Sequence, residues 1–301
     1  MKGLISQIQH YSTKDGLGIR TTVFFMGCNL HCKWCANPET ILPGKKIMYH
    51  KQKCMGCGTC VQAAPPSSIR LTEEGCVIDR KLCTNLSDMV DICPYDAYEE
   101  RGQEIGVEEL RRKLNRDIIF YRSSGGGVTF SGGEACQQRD FLLEVMRLLK
   151  EDGIHMALDT AGNWEYERVL PLLELADLIL YDIKAFDSGL HRACTGVGNE
   201  RILENARKIA GMKKNMHIRL VLVPGVNDQR EDVLERFRFV RSLGDAVRQT
   251  DLLPYHRLGV GKYQALGIPY ELLEIQEYSE DQVEKLKELA KKERLAVTVG
   301  G

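Results

Sequence analysis

The sequence has 301 residues, of which 43% are hydrophobic and 28% are charged, and its formal net charge is −1. This length and composition indicate one large globular domain with room for a small insertion. The charge favours neither nucleic acid nor an anionic membrane, no apolar run approaches the roughly 20 residues that cross a bilayer, and the N-terminus lacks a signal-peptide core. We therefore expect a cytoplasmic protein that binds neither nucleic acid nor membrane.

Cysteine content is the first unusual feature of the chain. Eleven cysteines occur without an export signal, and cytosolic thiols are kept reduced, so disulfides are not expected. Six of them lie in two tight groups, at 28–35 and 54–60. Clustered cysteines in an intracellular protein are typical of metal sites, and we interpret both groups in that way.

From Thr21 onward, short β-rich runs alternate with amphipathic helical stretches. The predicted strands are 21–26, 127–130, 155–159, 178–182, 218–223 and 247–253, and the predicted helices are 107–121, 138–152, 165–175, 201–212, 230–243 and 280–293, before a short strand at 296–299. Six such β-then-α units fall short of the eight that close a TIM barrel. We predict an α/β fold, a partial open (β/α)6 barrel, with functional residues at the carboxyl ends of its strands.

Residues 43–104 interrupt this alternation. They are rich in Cys, Pro and Gly and show little helical periodicity. A structureless loop of this length is uncommon inside a compact domain, so something other than an apolar core is expected to hold it. We therefore predict a barrel formed by 1–42 and 105–301, with 43–104 as a metal-stapled insertion.

The first cysteine group follows the first predicted strand directly. Its spacing is Cys28-x3-Cys32-x2-Cys35, and three thiolates this close can bind three corners of a cubane [4Fe–4S] cluster. The fourth iron keeps an open position, as an open catalytic zinc site does. Zinc is the alternative, because His31 lies inside the loop and could be the fourth ligand. The spacing and the strand-end position favour the cluster.

Residues 14–38, KDGLGIRTTVFFMGCNLHCKWCANP, resemble the N-terminal signature of the glycyl-radical-enzyme activating enzymes, a family of the radical S-adenosylmethionine (SAM) superfamily. The signature places Gly16, Gly18 and Arg20 before the three cysteines and Trp34 among them. Leu17 stands where the family usually has proline. The resemblance extends over essentially the whole chain, insertion included.

The resemblance implies that SAM binds the open iron through its amino and carboxylate groups. The residues it places around SAM are Trp34, Gly132, Gly133, Glu134, Asp159, Lys184, Arg219 and His256. In the TFSGGE motif the two glycines permit close backbone approach, while Glu134 suits the SAM ammonium group and Lys184 the carboxylate. Asp159, Thr160 and Asp182 are candidates for a monovalent cation site. A helix cap or a solvated loop position is the alternative for each carboxylate.

The second cysteine group begins a pattern that resembles a two-cluster bacterial ferredoxin, of which one complete ligand set remains. That set is Cys54, Cys57, Cys60 and Cys93. The other set would need Cys83 with Ala64, Leu86 and Met89, three residues that cannot bind iron. We therefore predict one auxiliary [4Fe–4S] cluster, with Cys76 and Cys83 as spare thiols and Cys83 as an alternative to Cys93. A four-cysteine zinc site is the competing interpretation.

The function implied by the resemblance is an oxidoreductase that installs a glycyl radical on a partner. A flavodoxin or ferredoxin supplies one electron, SAM is cleaved to methionine and a 5′-deoxyadenosyl radical, and a hydrogen is abstracted from a glycine of a glycyl radical enzyme. The alternatives are a radical SAM enzyme acting on a small molecule or another peptide, and a non-catalytic iron–sulfur electron carrier. Residues 14–38 argue against the first, and the second leaves TFSGGE, Lys184 and the barrel unexplained.

Overall fold

A computed structural model describes residues 1–300 of the chain. Its strands are β1 (Lys2–Ser12), β2 (Arg20–Phe25), β3 (Lys46–Tyr49), β4 (Ile69–Thr72), β5 (Gly75–Ile78), β6 (Tyr98–Arg101), β7 (Gln103–Gly106), β8 (Gly127–Gly132), β9 (Met156–Thr160), β10 (Leu178–Asp182), β11 (Asn215–Leu222), β12 (Val247–Pro254) and β13 (Thr298–Val299). Its α-helices are α1 (Thr59–Ala63), α2 (Met89–Ile92), α3 (Val107–Asn115), α4 (Ile118–Ser124), α5 (Arg139–Glu151), α6 (Tyr166–Leu175), α7 (Ser188–Thr195), α8 (Glu200–Gly211), α9 (Arg230–Ser242), α10 (Val260–Leu266) and α11 (Glu280–Lys292).

The frame of the described residues is a nine-stranded sheet in the order β13-β12-β11-β10-β9-β8-β2-β1-β7. From β2 through β8 to β12 each neighbouring pair runs parallel, and helices connect the successive strands. Parallel strands with helical crossovers are the architecture that the alternating pattern predicts. The predicted partial open (β/α)6 barrel is confirmed.

Two strands at one edge of the sheet were not predicted. β1 pairs antiparallel with β2 on one side and with β7 on the other. The polar residues of KGLISQIQHYS conceal the strand, since only a few of its positions are buried, Ile5 among them. A strand with one wet face has a weaker apolar pattern than the buried parallel strands beside it.

The barrel core forms where apolar helix faces meet the sheet. On α5 the buried side chains are Phe141, Leu142, Leu143, Val145, Met146 and Leu149. Burying each of these large side chains contributes roughly 1.5–3 kcal/mol. With the helices fixed on one side, the carboxyl ends of the strands are left free to carry the chemistry.

Residues 43–104 contain two small antiparallel pairs, β3 with β6 and β4 with β5. A compact cluster centred on Met89, Ile69 and Tyr98 is buried between them, and several cysteines take part in it. Arg80 ties this part of the chain to α10, because its guanidinium donates to the carbonyls of Ile47 and Ala265 at 2.7 Å each. Within residues 1–300, no helix combines the length and apolar character needed to cross a membrane.

Candidate active site and a second cysteine pocket

A cavity of about 610 Å³ opens at the carboxyl ends of the parallel strands. Nearly all of the residues predicted for the iron–sulfur and SAM site lie on its wall, namely Cys28, Cys32, Trp34, Cys35, Gly132, Gly133, Asp159, Thr160, Asp182, Lys184, Arg219 and His256. They come from six separate strands or the loops that follow them. Chain segments far apart in sequence therefore converge on one volume.

The loop that carries the three cysteines is held by backbone hydrogen bonds on both sides. After β2, Gly27 takes a φ of +94°, and its N–H donates to the Thr40 carbonyl at 2.8 Å. Further along, the N–H groups of His31 and Lys33 donate to carbonyls at the end of α7, at 2.8 and 3.0 Å. These bonds fix the backbone of the loop that carries the three thiols.

The alternative to a cluster at these thiols is a single zinc ion. Zinc with Zn–S bonds of about 2.3 Å requires its ligands to converge on one point, and among residues 1–300 no three histidine, cysteine or carboxylate side chains are placed in that way. His31, the alternative zinc ligand, lies on the exposed surface.

Burial sets the protonation of these thiols. It raises the pKa of Cys28 and of Cys35 to about 12 and raises the pKa of Cys32 as well, where Lys184 opposes it. Unligated thiols here hold their protons near neutral pH. A positively charged metal centre would stabilise the thiolates, and its binding would release the protons.

Four charged side chains form a buried network on the floor of the cavity. Arg219 bridges two carboxylates, donating from Nη2 to Asp159 at 2.7 Å and from Nε to Asp182 at 3.2 Å. Lys184 donates to Asp182 at 3.0 Å. Burial raises the pKa of Asp159, whereas for Asp182 the two cations outweigh burial and lower the pKa. The two cations and the two carboxylates of this network balance one another, so an anionic group that enters meets cations that are already paired.

Glu134 lies behind the cavity wall. Only 1% of it is exposed, and its carboxylate accepts hydrogen bonds from the Thr160 hydroxyl at 2.8 Å and the Ala161 N–H at 3.1 Å. Burial raises its pKa to about 7. The structure therefore gives Glu134 a role in joining the ends of β8 and β9, and its contact with the SAM ammonium group stays a prediction.

The two glycines before Glu134 allow backbones to touch. An added Cβ at Gly132 would lie 2.3 Å from the backbone nitrogen of Phe25, and one at Gly133 would lie 2.3 Å from the carbonyl oxygen of Gly27. The N–H of Glu134 donates to that same carbonyl at 2.8 Å. Glycine is required here because the TFSGGE turn packs directly on the loop that carries the cysteines.

A second pocket lies in residues 43–104. The four predicted auxiliary ligands Cys54, Cys57, Cys60 and Cys93 all line it. Cys76, counted as spare from the sequence, lines it too, whereas Cys83 is buried elsewhere with its sulfur 3.8 Å from the Asn85 amide oxygen. The pocket favours Cys93 over Cys83 as fourth ligand.

Tyr98 supplies an independent sign that this second pocket is built for a ligand. Its side chain is 3% exposed and lines the pocket. Within the part of the chain that the structure describes, its hydroxyl has no partner of ordinary hydrogen-bond geometry, and burial together with the neighbouring Cys60 thiol raises its pKa. A buried donor without an acceptor is costly, and the sulfur atoms of a bound cluster would provide one.

Some residues of the cavity wall were missed by sequence reasoning, including Lys14 and Asp15. Asp15 accepts a hydrogen bond from the Thr22 hydroxyl at 2.6 Å, and its backbone carbonyl accepts one from Thr129 at 2.7 Å. Both contacts hold the segment before β2 against the sheet. Both residues lie in the 14–38 signature, which could have pointed to them, but the signature gave neither side chain a role.

Comparisons with known proteins find relatives over the whole length of the chain. The sequence profile of the radical SAM superfamily matches residues 22–237. The trans-4-hydroxy-L-proline dehydratase activating enzyme of Clostridioides difficile is 38% identical over 100% of both chains. The pyruvate formate-lyase 2-activating enzyme of Escherichia coli K12 is 36% identical over 99% of this chain and 92% of its own length.

A solved structure of a related activating enzyme resembles part of the fold. A domain of the pyruvate-formate lyase-activating enzyme from Bacteroides vulgatus superimposes with a TM-score of 0.50 at 31% sequence identity. The match covers 58% of this chain and 99% of that domain. The similarity therefore concerns part of this chain and nearly the whole of that one.

Proposed function

The chain belongs to the radical SAM superfamily and, within it, to the glycyl radical enzyme activating enzymes, and we propose that its strand-end cavity is where a partner's glycine loses a hydrogen atom. The observation that carries this proposal is the convergence of the three cysteines with the Gly132–Gly133 turn, Lys184 and Arg219 on one cavity wall. As an activating enzyme of this family, the chain cleaves SAM reductively and acts on a glycyl radical enzyme.

The proposed cofactor site divides its tasks among the chain's own residues. A bound [4Fe–4S] cluster supplies the electron that cleaves SAM. Cys28, Cys32 and Cys35 hold that cluster in our proposal, and Lys184 and Arg219 attract the SAM carboxylate. The Gly132–Gly133 turn leaves room for the amino group because it carries no side chain. Trp34, which is 8% exposed, closes one side of the cavity against water.

Replacement of one proposed ligand tests this assignment. We expect Cys32→Ser to abolish 5′-deoxyadenosine formation from SAM under strong reductant, because the cluster would lose one of its three thiolates. The measurement is chromatography of the reaction products after anaerobic reconstitution. Cys194→Ser is the matched control, since Cys194 is a buried thiol packed close to Cys32. Full cleavage by Cys32→Ser would contradict the assignment.

The partner is tested by transfer of the radical. With candidate glycyl radical enzymes as substrates, an EPR doublet of a glycine radical is expected on the one that this chain activates. Cleavage of SAM without any radical on the partner would favour a different substrate for the same chemistry.

We also propose one auxiliary [4Fe–4S] cluster bound by Cys54, Cys57, Cys60 and Cys93. The shared pocket and the unpartnered Tyr98 hydroxyl support it. Iron near eight atoms per chain is expected after anaerobic reconstitution, from two clusters of four irons each. Cys57→Ser should bring iron to about four while SAM cleavage continues. About twelve irons would indicate a third cluster and contradict the count.

Three further assignments remain predictions. A monovalent cation at Asp159, Thr160 and Asp182 would compete with Arg219 and Lys184, which already pair with the two carboxylates. The Thr160 hydroxyl is likewise engaged by Glu134. The electron donor, a flavodoxin or ferredoxin, and the cytoplasmic address are the other two.

A further inference from the structure

The thiol of Cys76, which the sequence counted as spare, contacts the proposed cluster ligand Cys60. It lies on β5, and its sulfur is 3.5 Å from the sulfur of Cys60. Both side chains line the auxiliary pocket. The two sulfurs are therefore within hydrogen-bonding distance at the wall of the proposed cluster site.

The position of Cys76 is fixed by its surroundings. Its backbone N–H donates to the hydroxyl of Tyr49 at 2.8 Å, and Tyr49 is 9% exposed. The preceding Gly75 has a φ of +111°, and a Cβ there would lie 2.8 Å from the same hydroxyl oxygen. The hairpin of β4 and β5 thus holds Cys76 against the pocket with little freedom to turn away.

The contact between Cys76 and Cys60 has the geometry of a hydrogen bond between their sulfurs. The two sulfur atoms are 3.5 Å apart, and a thiol can donate a hydrogen bond to a sulfur acceptor. Two thiolates that bind different irons of one cluster stand further apart than this contact, so the distance suits a neighbour of the ligand better than a second ligand.

We propose that Cys76 is a positioning residue of the auxiliary site, whose thiol donates a hydrogen bond to the Cys60 sulfur and raises the reduction potential of the auxiliary cluster. Reduction adds negative charge that is shared by the cluster and its thiolates. A donor at a ligand sulfur stabilises that charge, and hydrogen bonds to sulfur are among the features that set such potentials. The inference rests on the auxiliary cluster proposed above.

The chain contains a matched control for this effect. Cys83 belongs to the same insertion and is 5% exposed, but its nearest polar contact is the Asn85 side chain. Removing its thiol tests the general cost of losing a buried sulfur from this small core. Removing the thiol of Cys76 tests the contact with Cys60 in addition.

The test is an EPR-monitored redox titration of the full-length, anaerobically reconstituted protein. The two clusters are told apart by adding SAM. The EPR spectrum of the three-cysteine cluster should change, because SAM binds its open iron. The signal that does not change is assigned to the auxiliary cluster and is the one followed in the titration. We expect the auxiliary midpoint potential to fall in Cys76→Ala, to recover partly in Cys76→Ser, which retains a donor, and to stay unchanged in Cys83→Ala. Iron should stay near eight per chain in all of them.

Three results would overturn the proposal, each in a different way. An unchanged midpoint in Cys76→Ala would show that the contact does not tune the cluster. Iron falling to about four per chain in that variant, with the Cys83→Ala control intact, would make Cys76 a ligand. About four irons in the wild type would remove the auxiliary cluster itself, while the SAM-cleavage test on Cys32 would be unaffected.

Discussion

Arg219 is the residue on which the charge balance of the cavity depends. Its side chain is 15% exposed and contacts Asp159 and Asp182 through two different nitrogens. A planar guanidinium can bridge two acceptors in this way, whereas an ammonium is a compact single donor centre. Arg219 therefore holds the ends of β9 and β10 together and keeps both carboxylates satisfied.

Arg219→Lys is expected to weaken SAM binding at least about tenfold, equivalent to roughly 1.4 kcal/mol. A lysine can reach one of the two carboxylates, so the other is left as a buried anion that repels the SAM carboxylate. The measurement is the SAM dependence of 5′-deoxyadenosine formation, with iron content checked in parallel. Arg248→Lys, on exposed β12 surface, is the control. If 5′-deoxyadenosine formation by Arg219→Lys depended on SAM concentration as it does in the wild type, Arg219 would have only a structural role.

The sequence predicted the residues of the site better than it predicted their orientations. The cysteines at 28–35 could be assigned together because their spacing is local and follows a strand. Glu134 and Cys76 could not be placed in this way, since their directions are set by Thr160 and Tyr49, which are distant in sequence. Such contacts exist only after the strands have paired.

Helix boundaries likewise depend on contacts between residues that are distant in sequence. The periodic pattern predicts one helix over 107–121, but the structure has α3 and α4 with a break at Asp117. Asp117 is 6% exposed, and its carboxylate accepts hydrogen bonds from Thr21 on β2 at 2.6 Å and from His10 on β1 at 2.5 Å. Periodicity reports which face is apolar, whereas this break is caused by a polar contact with two strands.

Asp117→Ala is expected to lower the free energy of unfolding by about 1–3 kcal/mol, because a buried Thr21 hydroxyl loses its acceptor. The variant should also loosen the junction of α3 and α4 from β1 and β2. Urea denaturation followed by circular dichroism measures the change. Asp140→Ala is the control, since the Asp140 side chain is 71% exposed. Equal stability of both variants would mean that the helix break does not depend on this carboxylate.

At the scale of the whole molecule, α10 links the two cysteine sites. Arg80 of the insertion donates to the Ala265 carbonyl of α10. Lys262 of the same helix donates to Asn37 at 2.7 Å and to Glu39 at 2.8 Å, in the segment that follows Cys35. The sequence predicted both sites but not this short helix, so the connection between them could only be found in three dimensions.

The pH dependence of stability is a second property of the whole barrel, because several buried groups act together. Burial lowers the pKa of His155, His191 and His217. The unfolded chain therefore binds more protons at these sites below about pH 6.5. Their stabilising contribution is complete above that pH and is lost as the pH falls. Glu134 has the opposite sign, since its pKa of about 7 means that the folded state binds the extra proton.

We expect the free energy of unfolding of the metal-free, reduced protein to fall between pH 7.5 and 5.5, since three histidines oppose one carboxyl. Each uncompensated proton changes it by at most about 1.4 kcal/mol per pH unit. Urea denaturation across this range measures the slope. His155→Gln with His217→Gln should flatten it, whereas His31→Gln, at an exposed position, should leave it unchanged. If the free energy of unfolding rose towards pH 5.5 instead, the proton taken up by Glu134 would outweigh those of the three histidines. That result would contradict the prediction.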